Sequence, residues 1–294
     1  MSKDHMLRAM SRDGHLRAFA VDSKNLVSEA YKAHGTTPVM TAALGRLLSA
    51  GVMMGAMCKG DADILTISMK GDGPAGSVTV TADSKGRVKG FVGNPDVELP
   101  LKPNGKLDVG GAVGNGTLTV IKDLGLKDPY IGQTELVNGE VAEDLTYYFA
   151  ASEQVPSSVG LGVLVNPDGT VRQAGGFIVQ VMPDATDEII DILEKNIGAI
   201  KPVTTMLESG ETIEEILAHI FENIEYDITS DSDIAFYCNC SRDRISKALI
   251  SVGAKDLQSM IDDGKEIEVK CHFCNKGYKF SVDELKELLE LSRA

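Results

Sequence analysis

The chain has no tryptophan, and aromatic residues make up only 5 % of it. Its core must therefore be mainly aliphatic, and 43 % hydrophobic residues over 294 positions is enough to build a sizeable one. No apolar run follows Met1-Ser2-Lys3-Asp4-His5, so no signal peptide is expected. No Gly-x-x-x-x-Gly-Lys-Ser/Thr phosphate loop occurs, which argues against use of ATP. Basic charge is short: the formal net charge is −14, whereas a nucleic-acid module usually carries a basic face. Cysteine is scarce too, with five in all. Four of them lie in two short motifs, Cys238-Asn239-Cys240 and Cys271-His272-Phe273-Cys274. Clustering of that kind suggests a reducing compartment and a metal site rather than a disulfide framework, so a cytosolic protein is expected.

The one stretch that resembles a membrane span, Val39 to Met57, carries Arg46 in its interior along with Thr41, Ser49 and several small residues. A charge there is costly in lipid, and small residues equally suit close packing in a protein core. A buried helix is the better reading, with no membrane partner. Residues 71 to 76, Gly-Asp-Gly-Pro-Ala-Gly, match the dinucleotide fingerprint in form. That fingerprint requires a helix next, whereas Ser77-Val78-Thr79-Val80-Thr81 alternates like a strand.

Taken in order, Met6 to Val21 reads as a hairpin turning at Asp13-Gly14. Ser23 is placed to cap a helix that Gly35 ends, and Thr37-Pro38 opens a second helix reaching about Cys58. Cys58 has no cysteine nearby in sequence and reads as a core residue. Strands are expected over Ile64 to Lys70, Ser77 to Ala82, Arg87 to Val92 and Leu118 to Ile121, with a long Gly/Pro/Asn-rich loop over 93 to 116. Val141 to Glu153 looks helical, with Tyr147, Tyr148 and Phe149 as packing residues. A last hairpin turns at Asn166-Pro167-Asp168-Gly169. Strands interrupted by two helices, without regular strand–helix alternation, indicate an α+β domain over residues 1–182.

Beyond Pro183 the pattern becomes helical. Ile189, Ile190, Leu193, Ile197 and Ile200 recur at helical spacing, and Thr212-x-x-Glu215 forms a capping box for Ile213, Ile216, Leu217 and Ile220. Between Asp184 and Asp231 thirteen acidic residues face two lysines, a net of −11. Residues 183–231 therefore read as an acidic helical linker. Like charges four apart weaken a helix by a few tenths of a kcal/mol each, so the linker is a plausible place for switching.

Residues 232–294 form the cysteine-bearing domain, with ten basic and eleven acidic residues. A helical segment is expected over Arg244 to Ile261 and a strand over Glu266 to Lys270. Gly277 suits the turn after the second cysteine pair, and Ser281-x-x-Glu284 boxes a last helix. Thirty residues, 241 to 270, separate the two motifs. Thiolates are compact, soft ligands, and Cys238, Cys240, Cys271 and Cys274 together can close a tetrahedral shell around one zinc ion. His272 is then surplus and expected at the surface. A closed four-thiolate site leaves no position for substrate or activated water, so hydrolytic zinc chemistry is not expected. A thioredoxin-like enzyme needs Cys-x-x-Cys to open a helix, and Asn275 to Phe280 reads instead as turn and strand. Two readings stay open: zinc staples a small domain, or the same thiolates sense oxidants and release zinc when oxidised. A zinc-ribbon module for RNA or a translation partner is the alternative from another class, and near-neutral charge around the cysteines does not favour it.

With Phe236-Tyr237-Cys238-Asn239-Cys240-Ser241 and Cys271-His272-Phe273-Cys274-Asn275 as its most specific pieces, the chain resembles the 33 kDa heat-shock protein family, redox-regulated bacterial holdase chaperones. The resemblance spans the α+β domain, the linker and the zinc domain. It implies zinc on Cys238, Cys240, Cys271 and Cys274 in a reduced, inactive form. It further implies Cys238–Cys240 and Cys271–Cys274 disulfides, zinc loss, linker unfolding and dimerisation in an oxidised, active form. Unfolding client proteins would be held without ATP and without enzymatic chemistry.

Overall fold

The computed structural model describes residues 3–293. Two compact units are present, one ending at Tyr237 and one beginning at Cys238. Both mix helix with sheet.

In the first unit, β1 (His5–Ser11) and β2 (Leu16–Asp22) form the expected hairpin. Helix α1 (Lys24–His34) follows and ends at Gly35, whose left-handed backbone lets its N–H reach the Tyr31 carbonyl. Its start differs from the sequence expectation, because the Ser23 hydroxyl is taken up by Ser49 at 2.7 Å. Asp4 caps the helix instead, its carboxylate accepting the N–H of Asn25 at 3.1 Å and of Leu26 at 2.6 Å. Burial pushes the Asp4 carboxyl above its ordinary range. Helix α2 (Pro38–Gly55) opens with Pro38 in its first turn and stops short of Cys58. It is long and apolar enough to cross a membrane, and 89 % of it is buried inside the protein.

A meander of β3 (Ile64–Gly71), β4 (Ser77–Asp83) and β5 (Arg87–Val92) comes next. The glycine-rich segment thus leads into a strand. Side chains at Gly71 and Gly73 would strike the carbonyls of Val113 and Ala112, so glycine serves a close backbone approach there. The segment 93–116, read as a loop, contains a short helix, α3 (Val109–Val113), capped by Asp108. After β6 (Gly116–Asp123) comes β7 (Tyr130–Glu135), which the sequence does not announce because most of its residues face solvent. Helix α4 (Ala142–Tyr148) widens into a π-type turn over Phe149–Glu153; Tyr148 and Phe149 are buried and Tyr147 is exposed. β8 (Ser157–Val165) and β9 (Val171–Val181) make the last hairpin.

The acidic stretch supplies α5 (Asp187–Ala199), α6 (Val203–Glu208) and α7 (Ile213–Ile220), the last opened by the Thr212–Glu215 capping box. It is not helical throughout. Tyr226–Asp233 forms β10, which pairs antiparallel with β1. Two residues, Ala235–Phe236, then make β11 beside β5.

The strands assemble into a five-stranded sheet ordered β10-β1-β2-β9-β8 and a six-stranded sheet ordered β11-β5-β4-β3-β6-β7. Helix α2 lies between them, and Leu44, Leu47 and Leu48 join Phe19 and Ile178 of the first sheet to Ile67, Val80 and Leu118 of the second. The opposite face of the five-stranded sheet, with Leu7, Leu16 and Phe177, is covered by Ile189, Leu193, Leu207, Ile216 and Leu217 of α5, α6 and α7. Their periodic apolar stripe is therefore a buried face. In the second unit, the helix expected over 244–261 divides at Gly253, where φ is 107°, into α8 (Arg242–Val252) and α9 (Ala254–Asp262). β12 (Ile267–Lys270) pairs with β13 (Gly277–Phe280), and α10 (Val282–Arg293) follows.

A buried and a half-buried carboxylate hold the loop that enters α4. Asp144, fully buried, accepts the N–H of Val137, Asn138, Gly139 and Val141 at 2.7 to 3.3 Å. This fan fixes Val141 at φ 75°, a conformation costly for a β-branched residue. Glu140 accepts from Arg46 at 2.7 Å, from the Gly110 N–H at 3.1 Å, and from Lys102. Burial pushes the Glu140 carboxyl up, but Lys102, Arg46 and Gly110 outweigh it and hold it below the ordinary carboxylate range.

Replacing Asp144→Asn turns an amide N–H₂ toward backbone donors and should cost about 2–4 kcal/mol, read as a lower denaturant midpoint of the first unit. For Glu140, a folded pKa below the unfolded one stabilises the protein above the unfolded value, and that stability is lost as pH falls through the folded one. Stability of the wild type should therefore drop more steeply than that of Glu140→Gln between about pH 5 and pH 3. Parallel acid limbs in urea titrations would refute this.

Candidate metal centre

The two cysteine motifs reach one place by different local devices. Cys238 and Cys240 lie in the extended segment before α8, and Ser241 caps that helix by accepting the Arg244 N–H at 3.3 Å. Cys271 leaves the end of β12. A tight turn then returns the chain to β13: the Cys271 N–H donates to the Lys276 carbonyl at 3.0 Å, and the N–H groups of Cys274 and Asn275 donate to the Cys271 carbonyl at 3.3 and 2.8 Å. The left-handed residue of the turn is Asn275, at φ 55°, and not Gly277. Gly277 opens β13, where a side chain would meet only the flexible end of Glu268, so the expectation of a glycine-dependent turn passes to Asn275.

The sulfurs of Cys238, Cys240, Cys271 and Cys274 all lie within 4.8 Å of one another. Between the motifs, Cys238 approaches Cys271 at 3.7 Å and Cys240 approaches Cys274 at 3.5 Å. Four sulfurs about 2.3 Å from a central zinc ion define a tetrahedron with edges of about 3.8 Å. The donor set fits that ion in number, chemistry and spacing. Cys271 is buried and the other three are half-buried. His272 is exposed and is not among the grouped ligands. Cys58 lies in the other unit, packed against the main core.

Tyr278 donates its hydroxyl to the Cys240 sulfur at 3.1 Å. Burial pushes the Cys240 thiol up, but donors led by Tyr278 outweigh it and hold it down at about 7. The same bond, with burial and the neighbouring sulfur charges, pushes Tyr278 up to about 12. Cys238 and Cys274 are raised, chiefly by burial and then by thiols competing for protons. The sequence analysis did not single out Tyr278. Its signal is the alternation of β13, in which Tyr278 and Phe280 point inward on the strand leaving the second motif.

Around the cluster the second unit has a small core of Leu249, Leu257, Tyr278, Phe280, Leu285 and Leu289, with Cys271 a member of it. Arg242 stacks on Phe280 at 4.4 Å and pairs with Glu284 at 2.5 Å. Glu284 also accepts the Ser281 N–H at 2.8 Å, completing the expected box at the start of α10. One cation and one carboxylate thus tie α8, β13 and α10 together beside the cysteines.

Comparison with known proteins agrees with this architecture. The family model described as Hsp33 protein matches residues 4–281. The 33 kDa chaperonin of Agathobacter rectalis is 59 % identical over 97 % of this chain and 99 % of its own. That of Lachnoclostridium phytofermentans is 55 % identical over 98 % of this chain and 99 % of its own. The crystal structure of the 33 kDa chaperonin from Thermotoga maritima superposes with a TM-score of 0.93 at 37 % identity, covering 99 % of both chains. With relatives that match it over nearly its whole length and a four-thiol centre near its C-terminus, the protein belongs to the Hsp33 family of chaperones.

Proposed function

We propose that this chain is a cytoplasmic, ATP-independent holdase switched on by oxidation. The observation that carries the reading is the gathering of four thiol sulfurs within 4.8 Å in a unit of small core. In the reduced form, Cys238, Cys240, Cys271 and Cys274 hold one zinc ion. Bound zinc keeps the four sulfurs deprotonated in one closed shell and supplies folding free energy, roughly 10–16 kcal/mol in finger peptides. The core around Leu257 and Phe280 is too small to replace it.

Oxidation removes two electrons per cysteine pair. One thiolate attacks peroxide, forming sulfenic acid and releasing hydroxide, and the second thiolate displaces hydroxide from that sulfur to close a disulfide. The proposed pairs are Cys238–Cys240 and Cys271–Cys274. Sulfurs 3.7 and 3.5 Å apart, as in Cys238–Cys271 and Cys240–Cys274, must move closer for any pair to reach disulfide bonding distance. Pairing within a motif has a consequence that cross-pairing lacks: it leaves nothing covalent between the two motifs, and the second unit loses its staple.

The chain enters that unit directly from β10 and β11, beyond α5–α7. Loosening of residues 183–231 would bare Leu7, Leu16 and Phe177 on the sheet face that those helices cover. A contiguous apolar face is a means of holding unfolding proteins and of joining two oxidised copies in a dimer. The acidic charge of the segment opposes nucleic acid as a partner.

Mild heat with peroxide should release one zinc per chain and consume four of the five thiols. Thiol titration in denaturant should then find one remaining, Cys58, whose thiol burial pushes up. Zinc that stays bound after four thiols are lost would count against a four-cysteine shell. In a light-scattering assay with a heat-unfolding client, only the oxidised chain should suppress aggregation. If neither form does, the zinc is a structural staple and nucleic-acid binding becomes the reading to test.

A further inference from the structure

We propose that the free edge of β8 is a strand-addition site that takes an extended, apolar polypeptide segment bearing acidic residues. β8 is the last strand of its sheet and pairs only with β9. The Val181 N–H donates to the Pro156 carbonyl, which sets the alternation along the pair. Continuing it through the unbroken register directs the N–H and C=O groups of Ser158, Gly160 and Gly162 to β9. Those of Val159, Leu161 and Val163 point the other way, where no described strand lies. Three residues in a row along the edge thus present unmet donors and acceptors, a run of about 14 Å at strand rise.

This edge does not face bulk solvent over a flat surface. It lines a groove of about 750 Å³ that runs from Ser158 to Asn166. One wall is the junction of α5 and α6, with Ile197, Ile200 and Val203; the other includes Leu101, Leu107 and Ala142. A strand laid against β8 would send alternate side chains to these two apolar walls while its backbone met Val159, Leu161 and Val163. Backbone bonding gives affinity and the alternating pockets give selectivity, which is the physics of strand addition. Exposed edges are usually blunted by charge or proline, and β8 from Ser157 to Val165 carries neither.

Charge decides the composition of the occupant. The groove is lined by Arg46, Lys106 and Lys201 against one acid, Glu143, in a chain of net −14. Arg46 is spoken for by Glu140, but Lys106 and Lys201 are exposed and make no ion pair among the described residues. Acidic side chains at the ends of an extended apolar segment would meet them.

The inference rests on the holdase reading for its partner, an unfolding protein, and differs from it in one respect. The edge is open in the form described here with all thiols reduced, so single segments should bind without oxidation.

The test uses the full-length, reduced, zinc-loaded chain and a fluorescent octapeptide with a glutamate at each end and six apolar residues between them. A second peptide carries N-methyl groups on alternate backbone nitrogens, and a third replaces glutamate by lysine. The first should bind, and methylation or lysine should each weaken it at least tenfold. Leu161→Pro removes an edge N–H that β9 does not use and should abolish binding, with the fold checked by circular dichroism. Lys106→Glu with Lys201→Glu leaves the edge intact and should reverse the preference to the lysine peptide. Equal binding of the methylated peptide, or unchanged binding by both variants, would overturn the proposal. So would a peptide-resistant dimer that Leu161→Pro dissociates, which would assign the edge to a second copy. Failure of the holdase reading shows separately, as absence of aggregation suppression by the oxidised wild type.

Discussion

Everything in the first unit depends on α2 being buried on all sides. The helix fills the space between two sheets, and its small residues set how close they come. A side chain at Gly45 would strike Val27 and Val163, one at Gly51 would strike Val80, and one at Gly55 would strike the Asp83 carbonyl. Glycine inside a helix costs about 1 kcal/mol relative to alanine. Three of them are tolerated because each admits a strand or helix neighbour that buries far more apolar area than a methyl group would. The same close packing explains how Arg46 can sit on this helix: Glu140, held in turn by Lys102 and the Gly110 N–H, compensates it. Membrane-like composition and a half-buried, ion-paired cation are two results of one constraint.

That constraint propagates to the acidic stretch. With α2 on one face, the five-stranded sheet has a second apolar face that needs a cover, and α5–α7 supply it. Asn196 fastens this cover by donating to the carbonyls of Ile220 and Glu222 at 3.1 and 2.7 Å. The acids on the outside contribute little. Arg12 meets Glu225 and Asp227 and Arg172 meets Glu208, but exposed pairs of this kind are each worth under about 1 kcal/mol. Apolar burial therefore dominates attachment, while a net of −11 over the segment works against it. A cover held by one term and opposed by another is easier to displace than a central strand.

Much of this was legible in the sequence because the signals were local. Asp13-Gly14, Thr212-x-x-Glu215 and Ser281-x-x-Glu284 each name a turn or cap from within four residues, and each forms; Thr37-Pro38 marks the start of α2, but the Thr37 hydroxyl donates to the Val97 carbonyl rather than capping the helix. What was not legible depends on distant partners. Asp4 caps α1 from before the hairpin, displacing Ser23, and no spacing rule reaches across two strands. β7 lacks buried alternation because it is an edge, and β10 lies in a stretch whose acids conceal a strand. The cysteine motifs declared themselves by residue type and spacing. The role of Tyr278 and the left-handed turn at Asn275 required the fold of the β12–β13 hairpin.

The second unit reverses the relation between core and site. In the first unit the core holds two sheets and their covering helices in place; in the second the thiols are part of what is buried. Cys271 is a member of the hydrophobic cluster, and Cys238, Cys240 and Cys274 pack against it. Only 57 residues, 238 to 294, make up this unit, a size at which a hydrophobic core alone leaves a domain marginal. A chemical change at sulfur is therefore a change in the core, with no intervening device needed to transmit it. Any chemistry at these sulfurs is coupled to folding because the same four residues serve the cluster and the core, and a larger hydrophobic core would uncouple them.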